Sequence, residues 1–318
     1  MGPTASGKTD LATSLCDNFP MEIISVDSGQ VFKGLDIGTA KPSQAVQKKY
    51  PHYLIDVLDP TETYSASQFR DDALEKMKEI NNRKKIPILV GGTMMYFKFL
   101  THGATELPGA NKKIREEISQ VALEIGWQGL HEKLCAVDPV AGGKISPNDS
   151  HRIQRSLEIF YITGKPVSEI QRRQKHTTLP FNLIKMALLP DKLDSLNQVI
   201  QERFKNMIDR GLLEEVRQLR SNFPLTNQMP SMRCVGYRQA WEYLEGKTNK
   251  DDFTRKGIIA TRQLAKRQMT WLKTDNIKRF DCLSVNLLED TCRWIKKNLW
   301  SEEKFRRGSI KTSYQSST

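Results

Sequence analysis

No uninterrupted apolar run in this sequence reaches the roughly 18 to 20 residues needed to span a membrane. Nor does the N-terminus have the basic-then-apolar layout of a secretory signal. Both absences predict a cytoplasmic protein with no membrane partner. Cysteine is sparse: Cys16, Cys135, Cys234, Cys282 and Cys292 are odd in number and far apart, with no C-x-x-C, which argues against a disulfide framework and a zinc knuckle. Internal repeats and long low-complexity tracts are lacking too. With 38% hydrophobic and 8% aromatic residues, the 318-residue chain is long enough for a large core plus an insertion. Acidic residues thin out late. Residues 1–100 carry acidic and basic groups in equal number, whereas residues 251–318 carry nearly twice as many basic as acidic ones, within a net charge of +12. This segregation predicts a polyanion-binding surface; a solvated basic tail is the plainer alternative.

The first hundred residues alternate between two periodicities. Leu11, Leu15 and Phe19 share one helix face, as do Phe69, Ala73, Met77 and Ile80. MEIISV (21–26), HYLIDV (52–57) and IPILV (86–90) are short apolar runs. Such strands alternating with helices predict a parallel sheet covered on both faces, an α/β fold with function gathered at the strand carboxyl ends, where Asp27, Asp56 and Gly91 fall. Strand-like runs vanish from about residue 104, predicting an inserted helical domain over 104–178. LIKMALLP (183–190) predicts a return to the sheet, and the rest reads as mostly helical. The expected organisation is a core of 1–103 and 179–300, the 104–178 insertion, and a disordered tail over 301–318.

Gly2-Pro3-Thr4-Ala5-Ser6-Gly7-Lys8-Thr9 fits G-x-x-x-x-G-K-[ST], in which backbone N–H groups at a helix start encircle a phosphate chain, the lysine adds charge and the last hydroxyl is a Mg²⁺ ligand. A loop of this kind normally follows a buried strand. Only Met1 precedes it, so the first strand is expected to be missing, with Met1 an internal methionine and the chain weakened by the loss. In SVDSGQVFKGLDIGTAKPS (25–43), Asp27 directly follows a strand on the same sheet edge as the loop. It is open to three roles: outer ligand of Mg²⁺, general base, or simple turn former. Ser28 and Gln30 offer hydrogen bonds of the sort that read a base edge. Arg152 and Arg155 share a helix face, as do Arg262, Lys266 and Lys273, while Leu264, Trp271 and Leu272 can turn to the core. Arg233, Tyr237 and Arg238 interleave cation with aromatic, which favours a nucleic-acid groove over a merely solvated face.

These segments, together with DPTETYSASQFR, LVGGTMMYF, DPVAGGKISPNDSHRIQRSLE, MRCVGYRQAWEYLEG and TRQLAKRQMTWLK, run in one order from residue 2 to about 273. Through them the chain resembles the bacterial tRNA dimethylallyltransferases, or tRNA isopentenyltransferases. The resemblance implies a P-loop-type fold and transfer of a dimethylallyl group from dimethylallyl diphosphate to N6 of adenosine 37, beside the anticodon of tRNAs reading codons that begin with U. It implies a loop that grips the leaving pyrophosphate, with Arg203 contacting the same group, Mg²⁺ as cofactor at Thr9, and Asp27 as general base. Catalytic roles then fall to Asp27, Lys8, Arg203 and Thr9. tRNA contacts fall to Asp27, Ser28, Gly29, Gln30, Thr93, Arg115, His151, Arg152, Ile153, Gln154 and Arg155. Further contacts fall to Arg233, Cys234, Val235, Gly236, Tyr237, Arg238, Lys266, Arg267, Gln268, Met269, Thr270, Trp271, Leu272 and Lys273. Phe32 stands where tyrosine is common. The zinc-finger extension of eukaryotic relatives is absent, and a monomer is expected. Rival readings are a small-molecule P-loop kinase and a non-catalytic RNA-binding protein that retains the loop as scaffold.

Overall fold

The computed structural model describes residues 1–103, 107–173, 179–273 and 277–309. The chain divides into two compact units, one of Met1–Thr101 with Pro180–Thr318, the other of His102–Leu179. In the first unit α1 (Lys8–Asn18), β1 (Met21–Val26), α2 (Gln44–Lys49), β2 (His52–Tyr53), α3 (Ala66–Asn82), β3 (Ile86–Gly91) and α4 (Met94–His102) follow in order. All six residues of β1 are buried, and it pairs in parallel with β2 on one side and β3 on the other. The apolar faces read from periodicity are the ones that pack: Leu11 and Leu15 of α1 with Phe19 beyond it, and Phe69, Ala73, Met77 and Ile80 of α3, are all buried. Ser65 and Gln68 start α3 with a reciprocal capping box, which satisfies the otherwise unpaired N–H groups of its first turn.

The second unit holds α5 (Lys112–Val137), α6 (Pro139–Gly142), α7 (Ser150–Thr163) and α8 (Val167–Arg173). It has its own core of Ile118, Leu130, Leu134, Ile153 and Leu157, and Gly126 kinks α5 with φ 71°. Back in the first unit come β4 (Met186–Leu189), α9 (Leu193–Asp209), α10 (Leu212–Asn222), α11 (Tyr237–Leu244), α12 (Lys250–Leu272), β5 (Lys278–Asp281) and α13 (Leu287–Ser309).

Five expectations need correction. LIKMALLP does not rejoin the β2–β1–β3 sheet: its strand, β4, pairs with β5 in a separate two-stranded parallel sheet. HYLIDV is a strand only at His52–Tyr53, because Leu54 and Asp56 take positive φ (62° and 54°), and Lys41, buried in the loop, binds the Asp56 carboxylate. The bend costs the strand its length but lets Phe32 and Leu58 form an isolated bridge. β5 was not expected: KRFD has no apolar run, and it exists as a strand through its parallel pairing with β4. Trp271 lies on the surface at 40% exposure with Lys98 5.7 Å from its ring centroid, while the next residue, Leu272, takes the core position. α13 continues through 301–309, within the stretch expected to be a disordered tail; residues 310–318 lie outside the described residues. As for the strand expected before Gly2, Met1 is what stands there among the described residues. Its nitrogen donates to Met186 O and its carbonyl accepts from Leu188 N, both at 2.9 Å, so it runs alongside β4.

Candidate active site

The glycine-containing loop of residues 2–9 is built by sharp backbone geometry. Ala5 and Gly7 both have positive φ (64° and 67°), which turns the chain back on itself before α1 begins. The buried Ser6 hydroxyl donates to Pro3 O at 2.8 Å, and Lys8 Nζ donates to the same carbonyl. A side chain at Gly2 would lie 2.8 Å from Leu188 O, so the loop can approach β4 this closely only as glycine. Among the described residues the N–H groups of Gly7, Lys8 and Thr9 have no protein acceptor. Their concave array at a helix N-terminus is suited to an anion. Ala5 anchors the loop in a small core with Leu196, Ile200 and Ala265.

Burial, and then the nearby Arg203 guanidinium, pull the Lys8 ammonium down to about 8, partly offset by Asp27. Arg203 itself is lowered by burial and supported by Asp27 and Asp10. The three groups Lys8, Arg203 and Asp27 therefore lie within electrostatic reach of one another, two cations and one carboxylate. Asp27 sits just past the end of β1. Its Oδ1 accepts from Gly29 N at 2.8 Å and Gln30 N at 3.3 Å, while Oδ2 has no hydrogen bond among the described residues. That leaves a carboxylate held in orientation by one oxygen and able to accept a proton on the other. Thr93, just past β3, accepts from Ser28 N at 3.0 Å and so ties the two strand-end turns together. The neighbouring Cys234 thiol is pushed up to about 12 by burial and then by Asp27, and the buried Tyr96 phenol is raised by the same two causes. Both therefore stay protonated.

The loop after Asp27 is held from inside and outside. Lys41, with its side chain 3% exposed, donates to Phe32 O and to the carboxylates of Asp36 and Asp56. Glu215 on α10 accepts from the N–H groups of Asp36, Ile37 and Gly38, and from the Tyr237 hydroxyl at 2.6 Å. Neither Lys41 nor Glu215 was singled out by sequence; Lys41 lies in the quoted GTAKP segment, but Glu215 is far along the chain and carries no local signal. Tyr237 is fully buried here, so the cation–aromatic face read for 233–238 reduces to the exposed Arg233 and Arg238, with Cys234 and Val235 half-buried and Gly236 buried.

The stretch 266–273 splits by helix face. Lys266, Arg267, Thr270, Trp271 and Lys273 are exposed, while Met269 and Leu272 pack inward. Gln268 also points inward: its Oε1 accepts from Thr4 N at 2.8 Å and its Nε2 donates to Gly92 O at 2.9 Å. Arg262 turns to α9 and is within hydrogen-bond distance of Asn197 O and Gln201 Oε1 rather than open to solvent.

Within the second unit, Arg115 and Arg155 converge on the fully buried Glu158. Arg115 binds it through Nε and a terminal nitrogen at 2.9 and 3.1 Å, Arg155 at 2.6 Å, and Asn111 N at 2.7 Å. Burial works against the Glu158 charge, but these hydrogen bonds prevail and hold the carboxyl below its usual range. Arg152 and His151 are exposed, Gln154 donates to Arg115 O and Ser119 Oγ, and Ile153 is buried. The two arginines read as sharing one helix face are therefore unlike: Arg152 faces solvent, Arg155 is committed to an internal ion pair.

Among the described residues no three His, Cys, Asp or Glu groups converge. Thr9, half-buried at the start of α1, and Asp27 carry the oxygen donors that a hard cation takes.

The family model described as IPP transferase matches residues 30–275. The chain is 47% identical over 298 residues to the tRNA dimethylallyltransferase of Nitrosomonas eutropha, covering 93% of this chain and 94% of that one. It is 50% identical over 296 residues to that of Nitrosospira multiformis, covering 93% and 92%. Among solved structures, the full-length tRNA isopentenylpyrophosphate transferase of Bacillus halodurans is 32% identical, with a TM-score of 0.70 over 96% of this chain and 97% of that one. A eukaryotic dimethylallyltransferase captured acting on tRNA is 29% identical, with a TM-score of 0.78 over 95% of this chain and 78% of that one. With matches of this extent, the chain belongs to the IPP transferase family.

Proposed function

We propose that this protein is a tRNA dimethylallyltransferase that moves the dimethylallyl group of dimethylallyl diphosphate onto N6 of adenosine 37, beside the anticodon of tRNAs reading codons that begin with U. The observation that carries the reading is Asp27, with one oxygen pinned by two backbone N–H groups and the other unbonded among the described residues, electrostatically coupled to Lys8 and Arg203. The relatives, both tRNA dimethylallyltransferases, supply the reaction class. An exocyclic adenine amine is a poor nucleophile because its lone pair is delocalised into the ring. As the N6–C1 bond forms and the C1–O bond to the diphosphate breaks, Asp27 Oδ2 takes the N6 proton, an assistance worth typically 10² to 10⁴ in rate. Negative charge gathers on the departing pyrophosphate, where the loop N–H groups, Lys8 and Arg203 stabilise it. Thr9 would hold Mg²⁺, which supplies further charge neutralisation when bound. The P-loop reading rests on the positive-φ turn, the unused N–H array and Met1 lying along β4, where the strand before such a loop would end.

RNA reaches Asp27 in this reading from the exposed basic positions Arg233, Arg238, Lys266, Arg267 and Lys273. A single-stranded anticodon loop gives up its base for only a few kcal/mol. The enzyme acts as a monomer in the cytoplasm; among the described residues no helix is long and apolar enough to cross a membrane. Incubation with labelled dimethylallyl diphosphate and an anticodon stem-loop, without ATP, tests the reading. Label should move to the adenosine. Consumption of ATP on a small acceptor with the label left in place would favour the kinase, and RNA binding with neither reaction would favour the non-catalytic reading.

A further inference from the structure

Gln268 lies in the stretch whose exposed members form the basic face of α12, yet its own side chain turns the other way. Both halves of its amide are used. Oε1 accepts from Thr4 N in the phosphate loop, and Nε2 donates to Gly92 O at the end of β3. Reversing the amide would set donor against donor and acceptor against acceptor, so the two bonds fix its orientation. The turn it grips continues directly into Thr93, which accepts from Ser28 N next to Asp27. One amide therefore joins the loop suited to an anion, through two short steps, to the turn that carries Asp27.

The site is fitted to this side chain. A Cβ at Gly92 would lie 2.3 Å from Gln268 Nε2, so the approach requires glycine there. On the same helix face, Ala265 and Met269 pack with Ala5 of the phosphate loop. α12 thus presents one face to solvent, carrying Lys266 and Arg267 with Lys273 just past its end, and seats the loop with the other.

We propose that Gln268 is a positioning residue: its amide locks the phosphate loop to the end of β3, and so sets the distance between the diphosphate and Asp27. This rests on the prenyl-transfer reading for its substrate, but the bond pattern predicts pyrophosphate binding whatever the acceptor. Gln268→Leu keeps a side chain of similar bulk and removes both bonds. Losing hydrogen bonds that order the loop is expected to raise the KM for dimethylallyl diphosphate and the Kd for pyrophosphate about tenfold. kcat should fall as well, because loop and base lose their register, while the Kd for an anticodon stem-loop stays within about twofold. Gly92→Ala displaces the same amide from the other side without altering α12. It should reproduce the pyrophosphate defect, and the double variant should be little worse than either alone, since both remove one interaction.

Calorimetric titration of pyrophosphate and of stem-loop RNA into wild type and the three variants, with steady-state rates alongside, decides the matter. An RNA affinity that falls while pyrophosphate binding is unchanged makes Gln268 an RNA contact and overturns the proposal. So does additivity of the two substitutions. Should Gln268→Leu not fold, Gly92→Ala carries the test alone, and wild-type pyrophosphate affinity in that variant overturns it. A wild-type protein that binds pyrophosphate but transfers no prenyl group would sink the functional reading and leave this one standing.

Discussion

Asp27 does two jobs with its two oxygens, and a well-chosen substitution separates them. Oδ1 stops the chain after β1 by accepting from Gly29 N and Gln30 N, and Oδ2 is the proton acceptor of the proposed reaction. Asp27→Asn keeps an oxygen for the turn and removes the base, so kcat should drop by roughly 10² to 10⁴ with stem-loop affinity retained. A loss of RNA affinity of comparable size would make Asp27 a binding residue instead. Lys8 is a second residue-scale lever. Burial and Arg203 bring its ammonium to about 8, so the free protein loses this charge as pH rises through that value. A bound diphosphate favours the charged form and raises the pKa, so binding takes up a proton above pH 8 and pyrophosphate affinity weakens with rising pH there. Titrations in buffers of different ionisation heat should detect the uptake; proton-neutral binding at pH 8 to 9 would exclude Lys8 as the responding group.

At the scale of elements, the loop between β1 and α2 is the part that most needs outside support. It has no regular structure of its own over residues 27–43, and it hangs on Lys41 within and Glu215 and Tyr237 from α10 and α11. Gly38 packs so closely on the Tyr237 ring that a Cβ there would lie 2.4 Å from it. Gly38→Ala should therefore cost about 1 to 3 kcal/mol by overpacking, read in denaturant unfolding. Tyr237→Ala relieves the clash by removing the ring, so in that background the same Gly38 substitution should cost much less. Equal costs in both backgrounds would show that the tyrosine contact does not hold the loop.

For the whole molecule, charge placement is the governing feature. The exposed cations of α12 and of the turn before α11 contribute to the net +12, whereas Arg115 and Arg155 have part of their charge spent on Glu158. Affinity for stem-loop RNA should fall linearly on a log–log plot against salt, and replacing Lys266, Arg267 or Lys273 by alanine should reduce the slope by about 0.7 per lost phosphate contact. Replacing Arg155 should leave the slope nearly unchanged and lower stability instead. A slope that responds to Arg155 as strongly as to Lys266 would contradict that division.

Amino-acid order alone determined the features that depend on near neighbours. Helix faces at Leu11–Phe19 and Phe69–Ile80, the strands read at 21–26 and 86–90, the G-x-x-x-x-G-K-T spacing and the place of Asp27 after a buried strand are all local patterns, set by side-chain periodicity and backbone sterics. Tertiary structure decided what depends on partners remote in the chain. KRFD is a strand because β4 lies beside it, and Tyr237 is a buried hydrogen-bond donor because Glu215 and Gly38 enclose it. Trp271 is left outside because Leu272 fills the core position, and Gln268 faces the phosphate loop because Thr4 and Gly92 offer it one donor and one acceptor. A residue's periodicity says which face of its helix it occupies; only packing says whether that face meets solvent, a core, or a loop that must be held in place.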